Sequence, residues 1–233
     1  MDYYQEQALP VRNEVASSHQ AAIEAYAQPG TWLDAETRIA ILNETRAATA
    51  CQLCHDRKSA LSPYAVSGVH GPVTKLPDNI VEVVHRLTTD SGRMTLSWFK
   101  DTLESGLSQQ AYVEIIGLVS TSLIIDSFSK ALGCELAEPP EPVAGEPSKE
   151  SNPDVVDDGA WLPMLDVEQN PTELELPTSP NIFRAMGLVP GAIAHFFSVM
   201  RSQYSLTRYD ISLSRSQVEL IAARISSLNQ CFY

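Results

Sequence analysis

The chain has 233 residues, 44% of them hydrophobic, and a formal net charge of −13. That length and apolar share suffice for one or two cores, and the acidic surplus repels phosphate backbones, so no nucleic-acid partner is expected. No run of 18 apolar residues occurs and MDYYQEQALP has neither the basic nor the apolar part of a secretory signal, so no membrane partner is expected, and four cysteines without a signal point to a reducing cytoplasm.

The pattern before residue 137 is helical throughout. Residues 8–27 carry apolar side chains on one side, with Pro10 expected in the first turn, and Gln28-Pro29-Gly30 breaks the run. Asp34 can cap the next helix, which runs through Ile39, Ile41 and Leu42 toward Cys51. After Pro63 a loop holds Gly68, His70, Gly71 and Pro72. Pro77 and Asp78 open a helix with Ile80, Val81, Val83, Val84 and Leu87, and Asp90 or Ser91 begins another with Met94, Leu96, Trp98 and Phe99. Ser108 starts the longest helix, through Tyr112, Ile115, Val119 and Phe128, and Gly133 stops it. Nothing alternates with period two for long, so the fold class is all-α. Residues 137–180 are rich in Pro and Glu and read as a linker, with Trp161, Leu162, Met164 and Leu165 able to dock on a surface. A further helical segment occupies 181–233.

Cys51-Gln52-Leu53-Cys54 is the strongest chemical signal. Two cysteines three apart on a helix face the same way, which suits a thiol and its resolving partner. Glu44, two turns before Cys51, and His55, directly after Cys54, are the candidate proton acceptors, and Arg57 and Lys58 would favour a thiolate. His85 is expected to pack or cap, Glu114 to form a structural ion pair, and Cys134 to be inert. A structural zinc site needs four ligands, and one Cys-x-x-Cys supplies two, so His70 or His85 would have to complete it; no metal and no cofactor are expected.

Shifting the chain by 180 pairs Pro10 with Pro190, Leu33 with Leu213, Ile41 with Ile221 and Cys51 with Cys231, without a gap. The second copy ends at Tyr233, one residue before the position matching Cys54, so it is expected to be truncated inside the motif.

These residues carry a family resemblance. LSRSQVELIAARISSLNQCFY, Leu213 to Tyr233, resembles the active-site helix of alkylhydroperoxidase D and the carboxymuconolactone decarboxylase-like proteins, whose motif is a Glu, eleven residues, Cys-x-x-Cys, three residues and a His. Glu219 and Cys231 fit its first part. Cys51 and Cys54 fit the cysteine pair, whereas Ile39 and Lys58 stand at the Glu and His positions of that copy. HRLTTDSGR and YVEIIGLVS are similar to the helical body that follows the motif. The resemblance implies a two-module helical bundle: a first module over 1–136, the linker over 137–180, and the start of a second module over 181–233. It implies a thiol-dependent hydroperoxidase or disulfide reductase acting on a hydroperoxide and recycled by an external dithiol, with Cys51, Cys54, Glu44, His55, Glu219 and Cys231 as candidate catalytic residues. Lactone decarboxylation is not expected, because members with that activity do not depend on a Cys-x-x-Cys. The alternative is a non-catalytic helical assembly module with decayed motifs. A homo-oligomer is expected, from the small residues Gly117, Ser120, Thr121 and Ser122 and from apolar surface on Ile221, Ile225 and Leu228. Cys51 is expected at the start of a helical turn, packed on the long 108–132 helix.

Overall fold

The computed structural model describes Tyr4 and residues 9–166, 180–204 and 212–228. Among these residues there are nine α-helices and one two-stranded antiparallel hairpin, so the fold is all-α. Helix α1 spans Asn13–Glu24, α2 Ala35–Ala48, α3 Gln52–Ser59, α4 Asp78–Asp90, α5 Leu96–Glu104 and α6 Gln109–Leu132. Helices α7 (Asn181–Met186), α8 (Pro190–Gln203) and α9 (Arg215–Leu228) follow the hairpin formed by β1 (Val155–Val156) and β2 (Met164–Leu165).

Local chemistry explains most of these boundaries. Asp34 Oδ1 accepts the Thr37 amide at 2.8 Å, and Ser108 Oγ accepts that of Ala111 at 3.1 Å, each satisfying a donor that the first helical turn leaves open. Gly133 ends α6 at φ 72°, a left-handed conformation that glycine adopts without cost. Three boundaries differ from expectation. Pro10 lies before α1, which begins after Arg12. Helix α4 continues to Asp90, and α5 starts only after Thr95, whose side chain caps the Trp98 amide. The helix expected to reach Cys51 stops at Ala48, and a new one begins with Cys51 as its N-cap.

Helix α6 is the central post. Helices α2, α4 and α8 pack around it, with α1 against α8. Tyr26, Ile41, Leu42, Val83, Val84, Ile115, Leu118 and Ile125 form the main core, each almost fully buried. Helix α6 is long and apolar enough to cross a membrane by composition, yet 67% of that stretch is buried inside the fold. Its small residues serve the chain itself: Gly117 lies under Ala192 of α8, so close that a Cβ there would meet Ala192 Cβ at 3.1 Å. Thr121 and Ser122 are likewise buried within the chain.

Residues 137–166 lie along the helices. Val143 N donates to Ala27 O, Lys149 N to Thr31 O and Asn152 N to Leu188 O, while Trp161 stacks on Phe99 at 5.8 Å between ring centroids. Shifted by 180, the bounds of α2, 35 and 48, become 215 and 228, the bounds of α9. The two helices differ in burial. Helix α2 is half sunk in the core, whereas α9 buries no residue among those described.

His19 joins Tyr4 to α8. Its Nε2 faces the Gln203 amide at 2.7 Å and its Nδ1 faces Tyr4 Oη at 2.7 Å. With Gln203 donating, the network assigns the proton to Nδ1, so the ring is neutral. Burial lowers its pKa from 6.5 to about 4. Burial, aided by the Arg38 guanidinium, lowers that of His195 to about 3. A depressed histidine pKa favours the folded state above 6.5, and that contribution falls as pH drops, because the unfolded chain takes up the proton first. We expect stability to fall between pH 6.5 and 4.5 by about 2 kcal/mol for each histidine. Urea midpoints at the two pH values measure it, and a flat profile would contradict the assignment.

Candidate active site

Three turns of chain meet at the cysteine pair. The backbone leaves α2 through a turn closed by Cys51 N donating to Ala48 O, and Cys51 O then accepts His55 N as the first bond of α3. Cys54, one turn on, faces the same side. Helix α3 packs on α4 and on the turn over Pro63–Ala65, which replaces the expected packing of Cys51 on α6. Cys51, Leu53 and Cys54 form a small buried cluster with Val66 beside it.

Helix α4 presents Glu82 and His85, three apart and therefore on one face. The loop between α3 and α4 brings His70 across the pair. Cys51 Sγ lies 3.5 Å from His70 Nδ1, and Cys54 Sγ lies 3.7 Å from the same nitrogen and 3.3 Å from His85 Nδ1. The four donor atoms are all within 4.8 Å of one another. A carboxylate backs each imidazole: His70 Nε2 is 2.8 Å from Glu82 and His85 Nε2 is 2.8 Å from Glu44. Glu44 also accepts the amides of Val73 and Thr74, each at 3.2 Å, and the Thr74 hydroxyl at 2.6 Å, which fixes the loop that carries His70. Glu82 is held by Arg57 Nη1 at 2.8 Å and by the Trp98 indole N–H at 3.0 Å.

The electrostatics follow from this wiring. Burial opposes ionisation of both thiols, and hydrogen bonds from the imidazoles override it. The Cys51 pKa is lowered chiefly by His70, and that of Cys54 falls to about 6 through His70 and His85. Burial likewise opposes charge on His70, but the two sulfurs and Glu82 raise it to about 10. His85 moves upward through Cys54 and Glu44. Glu82 is held down at about 2 by His70 and Arg57 against its own burial. The site is thus two Cys–His–Glu relays that share Cys54.

The chain matches no family model, no curated protein and no solved structure.

Cys51 and Cys54 lie side by side, an arrangement compatible with redox-active cysteines. Glu44 is fully buried at the site, but it reaches the thiols through His85 rather than directly. His55 is exposed: directly after Cys54, it points about 100° around the helix from the thiol it follows. Arg57 is engaged with Glu82, and Lys58 donates to Thr89 O, so neither charge bears on a sulfur directly. Glu114 does form an ion pair, with Arg38. Glu219 sits on α9, 3.8 Å from Arg215, and outside the four-donor cluster. Cys231 lies outside the described residues. Glu82, which no motif of the sequence singles out, backs His70, and His85, expected to pack or cap, lies against Cys54 Sγ.

Proposed function

We propose that the chain is a thiol-dependent hydroperoxidase in which Cys54 attacks and Cys51 resolves. The observation that carries this reading is the position of Cys54 Sγ between two imidazole nitrogens, each backed by a carboxylate. Such a setting holds a thiolate and an imidazolium side by side, the pairing a nucleophile and its general acid need. The Cys54 thiolate takes the outer oxygen of the peroxide as the O–O bond breaks. An imidazolium gives its proton to the departing alkoxide, leaving an alcohol and a sulfenic acid. The Cys51 thiol then attacks the Cys54 sulfur and water leaves, which forms the Cys51–Cys54 disulfide. An external dithiol restores both thiols by exchange. This cycle uses no cofactor, and it requires a reducing compartment.

Single-cysteine variants test the order of events. One equivalent of hydroperoxide should leave a persistent sulfenic acid on Cys54 in Cys51→Ser, trapped by dimedone and seen by mass spectrometry. If the sulfenic acid persists instead on Cys51 in Cys54→Ser and not in the first variant, the roles are reversed.

Homo-oligomeric assembly belongs to the same reading and is supported by α9, where Leu220, Ile221, Ile225 and Leu228 are each at least half exposed. Light scattering at micromolar concentration should find more than one chain per particle; a monomer removes this part of the proposal.

A further inference from the structure

We infer that the reduced cysteine pair, His70 and His85 together form a binding site for one Zn²⁺ ion. The Cys-x-x-Cys supplies two ligands, and the loop and α4 each deliver an imidazole to the same point, so His70 and His85 complete a set of four where no metal was expected.

Three observations carry the inference. The first is donor chemistry: two thiols and two imidazoles form a sulfur–nitrogen set that suits zinc in tetrahedral coordination. The second is spacing. Zn–S and Zn–N bonds of roughly 2.3 and 2.0 Å put the donors of a tetrahedron about 3.3–3.8 Å apart. Three of the four sulfur–nitrogen distances are 3.5, 3.7 and 3.3 Å. No pair of the four exceeds 4.8 Å, so closure by at most about 1.5 Å at the widest pair completes the tetrahedron. The third is orientation. Both rings turn Nε2 to a carboxylate, Glu82 or Glu44, and Nδ1 to the sulfurs. A histidine that donates Nε2–H to a carboxylate keeps the Nδ1 lone pair for a metal, and this carboxylate–histidine arrangement is the usual support of a zinc ligand.

The ion would occupy the space that a peroxide must reach, so zinc and peroxide compete for Cys54. That consequence rests on the peroxidase reading; the binding itself does not.

The test uses the full chain, reduced and freed of metal by chelation. Zn²⁺ is titrated against a chromophoric chelator in the absence of peroxide, and Co²⁺ serves as the spectroscopic probe. The expected result is one equivalent bound, with the visible bands of tetrahedral cobalt and a near-ultraviolet thiolate charge-transfer band. Zinc should also shield Cys51 and Cys54, but not Cys134, from alkylation. His70→Ala should weaken binding by at least a hundred-fold. Glu82→Gln, at a partly exposed position that threatens the fold less, should weaken it ten- to a hundred-fold. Octahedral cobalt, binding well short of one equivalent, or zinc affinity unchanged in both variants would overturn the inference. A chain that binds no zinc yet forms the disulfide with peroxide loses this proposal and keeps the peroxidase. A chain that binds zinc and, once stripped, ignores peroxide does the reverse.

Discussion

His85→Gln should slow oxidation of Cys54 by hydroperoxide by about a hundred- to ten-thousand-fold, the range for losing a general acid or base. His85 is fully buried and links Glu44 Oε1, at 2.8 Å, to Cys54 Sγ, at 3.3 Å. Glutamine keeps a hydrogen-bond donor toward Glu44 and gives up the ring nitrogen that holds the thiolate and delivers the proton. Glu44→Gln should slow the reaction less, by roughly ten- to a thousand-fold, because Glu44 acts through His85 and the His70 loop. Stopped-flow rates on metal-free protein, with thermal unfolding as the check on folding, measure both. An unchanged rate in His85→Gln would remove the inner relay and leave His70–Glu82 as the proton source.

The largest loss of stability is expected from Arg38→Met. Arg38 and Glu114 are both buried; Nη1 donates to Glu114 Oε1, and Nη2 donates to Ala25 O at 3.1 Å. Glu114 Oε2 accepts the Trp32 amide at 2.6 Å. The backbone of Gly30 runs so close above the pair that a Cβ there would collide with both side chains. Removing Arg38 leaves a carboxylate buried without its cation, at a cost of about 3–5 kcal/mol. That is a large share of the roughly 5–15 kcal/mol that holds a domain folded. Adding Glu114→Met to Arg38→Met should recover most of the loss, since the penalty lies in the stranded charge. Urea denaturation of the three proteins decides it, and a single variant that loses less than about 1 kcal/mol would contradict the account.

The same two residues show how far the sequence could be read. Glu114, set among Val113, Ile115 and Ile116 in an apolar helix, announced a buried ion pair, but nothing in local spacing named Arg38, 76 residues away. The cysteine pair was legible for the opposite reason, because a spacing of three within one helix is local geometry. The imidazoles were not. His70 and His85 reach the thiols across separations of 16–31 residues, set by how α4 packs on α3 and how the loop returns over both. The valines beside His85 mark a buried face, yet burial alone does not say what a histidine meets there. Glu82 belongs to no motif of the sequence, and its partners His70, Arg57 and Trp98 come from three other parts of the chain. His55 drew attention by adjacency to Cys54, and adjacency on a helix separates side chains. Gly117, one of the small residues of α6, lies against Ala192 of α8, a contact that no local spacing names.

The central claim is that this site makes Cys54 reactive toward peroxide. The most direct measurement is the second-order rate of Cys51–Cys54 disulfide formation in reduced, metal-free protein. It is followed by stopped flow under excess hydroperoxide and confirmed by the loss of two hydrogens from the peptide that contains both cysteines. The account predicts a rate at least a hundred-fold above that of free cysteine at the same pH, with the disulfide confined to that pair. A rate no faster than free cysteine would contradict it, and the helical assembly module would then be the better description of the chain.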